Sequence, residues 1–185
     1  AGSSKIGKSW LALWLCLQVA KGESVWGLAT HGGTVLYLCL EDNFTRIQNR
    51  LFQITDDAPE TLHFATIAAG LYSGLQEQLA NFLAQHPDTS LVVIDTFQRI
   101  RDGNDTGPPY ASDYRDVTAL KAIADKHSIS LLLVHHTRKQ QADDPMDKIS
   151  GTTGISGAAD NNFVLEPHKR GCSEATLACM GRDIE

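Results

Sequence analysis

Long apolar runs are missing from this chain, and so is any surplus of positive charge. No stretch approaches the ~18 consecutive apolar residues that a membrane-spanning helix requires, and the first residues lack the basic-then-apolar order of an export signal. Lys and Arg total 16 against 22 Asp and Glu, a net charge of −6. That balance argues against coating duplex nucleic acid by bulk electrostatics, so any nucleic-acid contact must be local, in a few loops or at the centre of an assembly. Cysteine is scarce. Cys16, Cys39, Cys172 and Cys179 form no C-x-x-C pair, and the first two lie in apolar runs where a buried thiol is the ordinary explanation. A reducing, cytoplasmic setting is expected. No internal repeat is visible. What is present is 185 residues of which 42% are hydrophobic, enough for one domain with a substantial core and too few for two comfortable ones.

The most specific feature comes first. AGSSKIGKSW carries G-x-x-x-x-G-K-[ST] as Gly2, Gly7, Lys8 and Ser9, the Walker A spacing of a phosphate-binding loop. Glycines let the backbone curl so that successive N–H groups face one anion. WLALWLCLQVAKG then reads as a helix, with Leu11, Trp14, Leu15 and Val19 apolar and a stop at Gly22, so its positive end points at the phosphates. Lys8 would reach the β and γ phosphates of a nucleotide, and Ser9 would ligate Mg²⁺.

Further along, the pattern alternates. THGGTVLYLCLED gives a Gly-Gly turn and a buried strand over 35–40; NFTRIQNRLFQI has an Asn43 cap and helical spacing; LHFATI is a short strand. LQEQLANFLAQH is an amphipathic helix closed by Pro87, and SLVVIDTFQRI is a buried strand ending in Asp95. A polar Gly/Pro loop spans 102–116, VTALKAIADKHSI is a helix, and SLLLVHHTRK is a third buried strand ending in His135-His136. After a long polar segment, NFVLEPHKRGCSEATLACM reads as two strands joined by a basic turn. Continuous apolar strands alternating with helices imply a mostly parallel sheet covered on both faces. Ligands bind beyond the carboxyl ends of such strands, where Glu41-Asp42, Asp95-Thr96 and His135-His136 fall.

Those ends carry chemistry. Asp95, after Leu91-Val92-Val93-Ile94, has the Walker B form of a carboxylate that meets Mg²⁺ through water; the alternative is a cap on the next element. Glu41 suits the activation of an attacking water. Strand alternation lets only one of Glu41 and Asp42 face the phosphates, and Asp42 is expected to cap the following helix. Two histidines in succession before Thr137-Arg138-Lys139 favour a switch that reports the γ-phosphate; metal binding by the pair is disfavoured because neighbours on a strand point to opposite faces.

GSSKIGKS, YLCLED, LVVIDT, LLLVHHTRK and SGTTGISGAADNNFVLE, in this order and spacing, resemble the RecA-like P-loop ATPases, most closely the AAA_25 branch that includes the plasmid replicative helicase RepA. The resemblance covers essentially the whole chain. It implies an α/β fold with sheet order 3-2-4-5-1-6-7, helices on both faces and an antiparallel last strand, as one RecA-like domain over residues 1–185. It implies an apolar strand feeding the loop, which is not seen ahead of Gly2, and another strand where GRDIE stops, so truncation at both ends is expected. Cofactors would be ATP and Mg²⁺. The nucleotide set would be Gly2, Ser3, Ser4, Lys5, Ile6, Gly7, Lys8, Ser9, Trp10 and Arg50, with Ser9 and Asp95 on the metal. Glu41 would activate water and His136 would sense the γ-phosphate.

One departure concerns the arginine that the related helicase supplies from the next subunit. Phe163 stands at that place in NNFVLE, leaving Arg182, Lys169 and Arg170 as candidates for a residue acting in trans. The function implied is an ATP-driven motor or replicative helicase of a plasmid, phage or integrated element, a ring-shaped homo-oligomer such as a hexamer. Single-stranded DNA would be held by loops 102–116 and 138–156 through Arg138, Lys139 and Lys148, with Tyr110 or Tyr114 stacking on bases. The alternative is a RecA-like regulatory ATPase that switches a protein partner without moving on DNA.

Overall fold

The computed structural model describes residues 1–101, 107–138, 144–168 and 174–182. The chain forms two compact units, one of Ser9–Gly103 and Ile123–Val134, the other of Ala1–Lys8, Asn104–Ala122 and His135–Glu185.

The first unit is built on four parallel strands. Helix α1 (Lys8–Lys21) leads to β1 (Thr34–Cys39), α2 (Phe44–Ile54), β2 (Leu62–Ala65), α3 (Gln76–Gln85) and β3 (Thr89–Asp95); a 3-10 turn, Phe97–Ile100, follows, and β4 (Ser130–Val134) completes the sheet. The order is β2-β1-β3-β4, with Tyr37 level with Phe64 on one side and Val93 on the other. This is the 3-2-4-5 portion of the expected RecA-like order. Every residue of β1 is buried. Val35, Tyr37, Cys39 and Val93 pack into one cluster with Ala12, Leu13, Cys16, Leu17 and Ile47, while Leu36, Leu38, Val92 and Ile94 are buried too. A strand hidden on both faces has no polar position to alternate with, which is why YLCL reads as an unbroken apolar run. Each such side chain contributes roughly 1.5–3 kcal/mol of transfer free energy.

Local signals set the helix ends. Asn43 caps α2 by accepting from the Arg46 N–H, satisfying one of the orphan donors of the first turn. Gly22, at φ +68, follows α1. The buried side of α1 is Ala12, Leu13, Cys16 and Leu17, rather than the stripe at Leu11, Trp14, Leu15 and Val19. WLALWLCL is apolar nearly all round, so its spacing could not select a face. β4 is half-buried over most of its length, because it lies at an end of the four-strand order.

The second unit contains β5 (Asn161–Pro167) and β6 (Ala175–Gly181), an antiparallel pair, as expected for the last strands. Gly2 makes parallel bridges to both His136 and Leu165, the position between strands 5 and 6 that the expected order gives to strand 1. Thr137 bridges Ile149, and Arg138 N–H donates to Lys148 O at 2.6 Å, drawing the ends of the intervening segment together. A 3-10 turn, Pro145–Lys148, and helix α5 (Thr153–Ala158) lie in the stretch expected to be a polar loop.

Helix α4 (Pro109–His127) runs through both units. It begins eight residues before the helix anticipated at Val117. Proline is tolerated at a first helical position, and the early turns bury Ser112, Asp113 and Asp116, polar residues that conceal a buried face from any hydrophobic pattern. Burial of Asp113 is offset by two bonds that it accepts at the start of α5, from Thr152 N–H at 2.7 Å and Thr152 Oγ1 at 2.9 Å. Gly151, at φ +92, precedes this cap.

Candidate nucleotide site

In the second unit, the loop over 2–8 folds around its own lysine. Lys8 Nζ donates to Gly2 O and Ser3 O, both at 2.8 Å, and lies 3.5 Å from His136 Nδ1. Lys5 and Gly7 take left-handed values, φ +63 and +101, which turn the backbone back on itself. Gly2 is gripped from both sides: its N–H donates to His135 O and its carbonyl accepts from Thr137 N–H, each at 3.2 Å. A Cβ on Gly2 would lie 2.9 Å from Leu165 O and press on Ile6 and Lys8, so no side chain fits there. The two histidines diverge as strand alternation requires. His136 faces Lys8, whereas His135 is buried with Nε2 3.0 Å from Ser150 O. A tight backbone cradle with an ammonium at its mouth suits a phosphate group.

In the first unit, Ser9 and Asp95 are linked by Tyr37, which the sequence reading did not single out. Its hydroxyl donates to Asp95 Oδ2 at 2.8 Å and lies 3.4 Å from Ser9 O. Burial, and then the Asp95 charge, push the Tyr37 phenol far above its ordinary range, so it keeps its proton and remains a donor. Asp95 is 4% exposed; a carboxylate that deep persists because hydrogen bonds meet it. Burial likewise raises the thiols of Cys16 and Cys39, which makes them packing groups rather than nucleophiles.

Glu41 is exposed just beyond β1, and its Oε1 accepts from Thr96 Oγ1 at 3.1 Å. Asp42 does not cap α2, since Asn43 does. Instead Asp42 pairs with Arg46 at 2.7 Å and Arg50 at 2.5 Å, because two guanidinium groups on the first turns of α2 outcompete a backbone N–H for a carboxylate. Arg50 also lies over the ring of Trp10, 5.6 Å from its centroid, a cation–π arrangement.

The remaining candidates are dispersed. Lys148 is ion-paired with Glu166 at 2.7 Å, and Arg182 approaches Asp160 at 3.4 Å, an acid also bound by Lys121. Those cations, Lys121 first, hold the Asp160 carboxyl below its usual range. Arg138 is exposed, and Phe163 is 37% exposed. Tyr110 and Tyr114 are exposed and stacked, centroids 6.2 Å apart, on the first turns of α4 rather than in a loop. Lys139, Lys169 and Arg170 lie outside the described residues. Among the described residues no helix is long and apolar enough to cross a membrane.

Comparison with known proteins agrees with this architecture. The family AAA_25, described as an AAA domain, matches residues 1–142. The solved structure of a helicase ATPase domain superposes with a TM-score of 0.70 at 11% identity, over 97% of this chain and 78% of that one. At that identity the likeness speaks for the fold. No curated protein matches the sequence.

Proposed function

Because the chain belongs to the AAA_25 family of AAA domains, we propose that it binds and hydrolyses ATP as a RecA-like motor of the helicase type, acting on single-stranded DNA during replication of a plasmid, phage or integrated element. The observation that carries this reading is the Lys8 ammonium gathered onto Gly2 O and Ser3 O beside His136. ATP with Mg²⁺ supplies the scissile phosphoanhydride and the metal's charge. Lys8 and the N–H groups of the loop hold phosphate charge, and Ser9 and Asp95 hold the metal, with Tyr37 keeping Asp95 ionised and oriented. Glu41 takes the proton of the attacking water. Trp10 and Arg50 border the nucleotide, and His136 reports the γ-phosphate to the segment beyond Arg138. A homo-oligomeric ring would bring a basic residue such as Arg182 to the neighbouring site once it leaves Asp160.

A second reading, a regulatory ATPase that switches a protein partner, is favoured by the Lys148–Glu166 pair, which withdraws a cation from the proposed DNA path. Hydrolysis measured with and without a single-stranded oligonucleotide separates the two. Stimulation supports the motor. A rate indifferent to DNA, with ATP and ADP giving equal DNA affinity, favours the switch.

A further inference from the structure

Three contacts converge on Leu40–Glu41 from one neighbouring turn. Leu40 N–H donates to Asp95 O at 2.7 Å, which carries the β1–β3 ladder past the last residue of β1. Arg99 Nε donates to the Leu40 carbonyl at 3.2 Å, and Thr96 Oγ1 donates to Glu41 Oε1 at 3.1 Å. The turn that bears Thr96 and Arg99 is anchored by Phe97 and Ile100, both fully buried, and Thr96 is itself 2% exposed. Glu41, by contrast, is exposed, and an exposed glutamate otherwise samples many rotamers. Here its peptide and one carboxylate oxygen are fixed to a rigid neighbour.

We propose that Thr96 and Arg99 are positioning residues for Glu41. Thr96 holds Oε1, which leaves Oε2 to receive a proton, and Arg99 fixes the peptide from which the side chain springs. The inference rests on the reading of Glu41 as the base. Its logic is geometric: a base works only when held within reach of the proton it removes, and small displacements are costly. An ionised carboxylate only accepts, so the Thr96 proton must point at it. Neither Thr96 nor Arg99 belongs to a recognisable motif, and the contact requires β1 and β3 to be adjacent, as they are.

The test is steady-state ATP hydrolysis by the full chain, reading kcat and KM separately, for wild type, Glu41→Gln, Thr96→Val, Thr96→Ser, Arg99→Gln, and the Val and Gln changes each combined with Glu41→Gln. Thr96→Val, nearly isosteric, should lower kcat about 10- to 100-fold, the scale of one hydrogen bond to a charged group, with KM changed less than about threefold. Thr96→Ser keeps the donor and should retain most of the turnover. Arg99→Gln should lower kcat about 3- to 10-fold, as loss of a bond to a neutral carbonyl. In the Glu41→Gln background neither change should slow the residual rate further, because residues acting through one group are not additive. A wild-type rate in Thr96→Val, or the same fractional loss with and without Glu41, overturns the inference while the base reading stands. A wild-type rate in Glu41→Gln overturns the base reading and the inference with it. If Thr96→Val does not fold, Arg99→Gln, altered at an exposed residue, decides by the same cycle.

Discussion

Strands β1 and β6 are of similar length, six and seven residues, yet all six of β1 are buried and none of β6 is. β1 is paired on both sides, with β2 and β3, and its side chains on each face are enclosed. β6 pairs with β5 alone, and its polar and apolar residues mix as a two-stranded ribbon allows. Rigidity in this molecule is therefore concentrated in the enclosed strands. Chemistry that needs fixed angles, Asp95 and Glu41, stands at or just past their ends, whereas the β5–β6 pair carries residues suited to adjusting, such as Arg182 on a shared acid.

The largest effect tests whether the unit that holds β6 nonetheless carries chemistry of its own. Lys8→Ala removes the ammonium of the loop and should abolish ATP hydrolysis, a loss of at least ~10²–10³-fold, with weakened nucleotide binding. Near-normal turnover would show that unit to be scaffold only. Next, Glu41→Gln keeps shape and loses basicity. It should still bind ATP yet hydrolyse at least ~10²-fold more slowly; a more damaging Asp42→Asn would shift the role to the other acid.

Stability should divide along the same line. Ile94→Ala, at a fully buried site of β3, should cost about 2–5 kcal/mol in denaturant unfolding. Met180→Ala, at a 52% exposed site of β6, should stay within about 0.5 kcal/mol. Comparable losses would erase the contrast between the strands.

The smallest effect is a pH dependence at the edge strand β2. His63 stacks against His86, centroids 4.5 Å apart, and against Phe82. Burial, then the His86 ring, lower its pKa, with Asp88 opposing. The unfolded chain therefore binds a proton that the folded chain resists, so stability falls as pH drops through the ordinary histidine value of about 6.5 toward the lower folded one. Thermal unfolding at a series of pH values should show this slope, and His63→Leu should flatten it. An unchanged slope would assign it to other groups.

The enclosed strands were legible because burial on both faces leaves an uninterrupted apolar string. The loop was legible because its spacing is covalent: Gly2, Gly7, Lys8 and Ser9 need no tertiary partner to be seen. The first two turns of α4 were not, since Ser112, Asp113 and Asp116 are buried by polar partners distant in sequence, Thr152 among them. Tyr37, Thr96 and Arg99 escaped notice for a related reason. Each matters only through a residue on an adjacent strand or turn, and the pairing of β1 with β3 is not local information. Asp42 was misread because its choice between a cap and an ion pair depends on where Arg46 and Arg50 point.

The Asp113 clamp on Thr152 restricts how this sequence can drift. A methyl group on Gly151 would meet Ile155 Cδ1 at 2.6 Å and Asp113 Oδ2 at 2.9 Å, whereas one on Gly157, six residues on, meets nothing within 4 Å. The two glycines of SGTTGISG thus differ sharply in tolerance. In a saturation library selected for folded protein, position 151 should stay glycine while position 157 drifts freely toward alanine, which an α-helix prefers by roughly 1 kcal/mol.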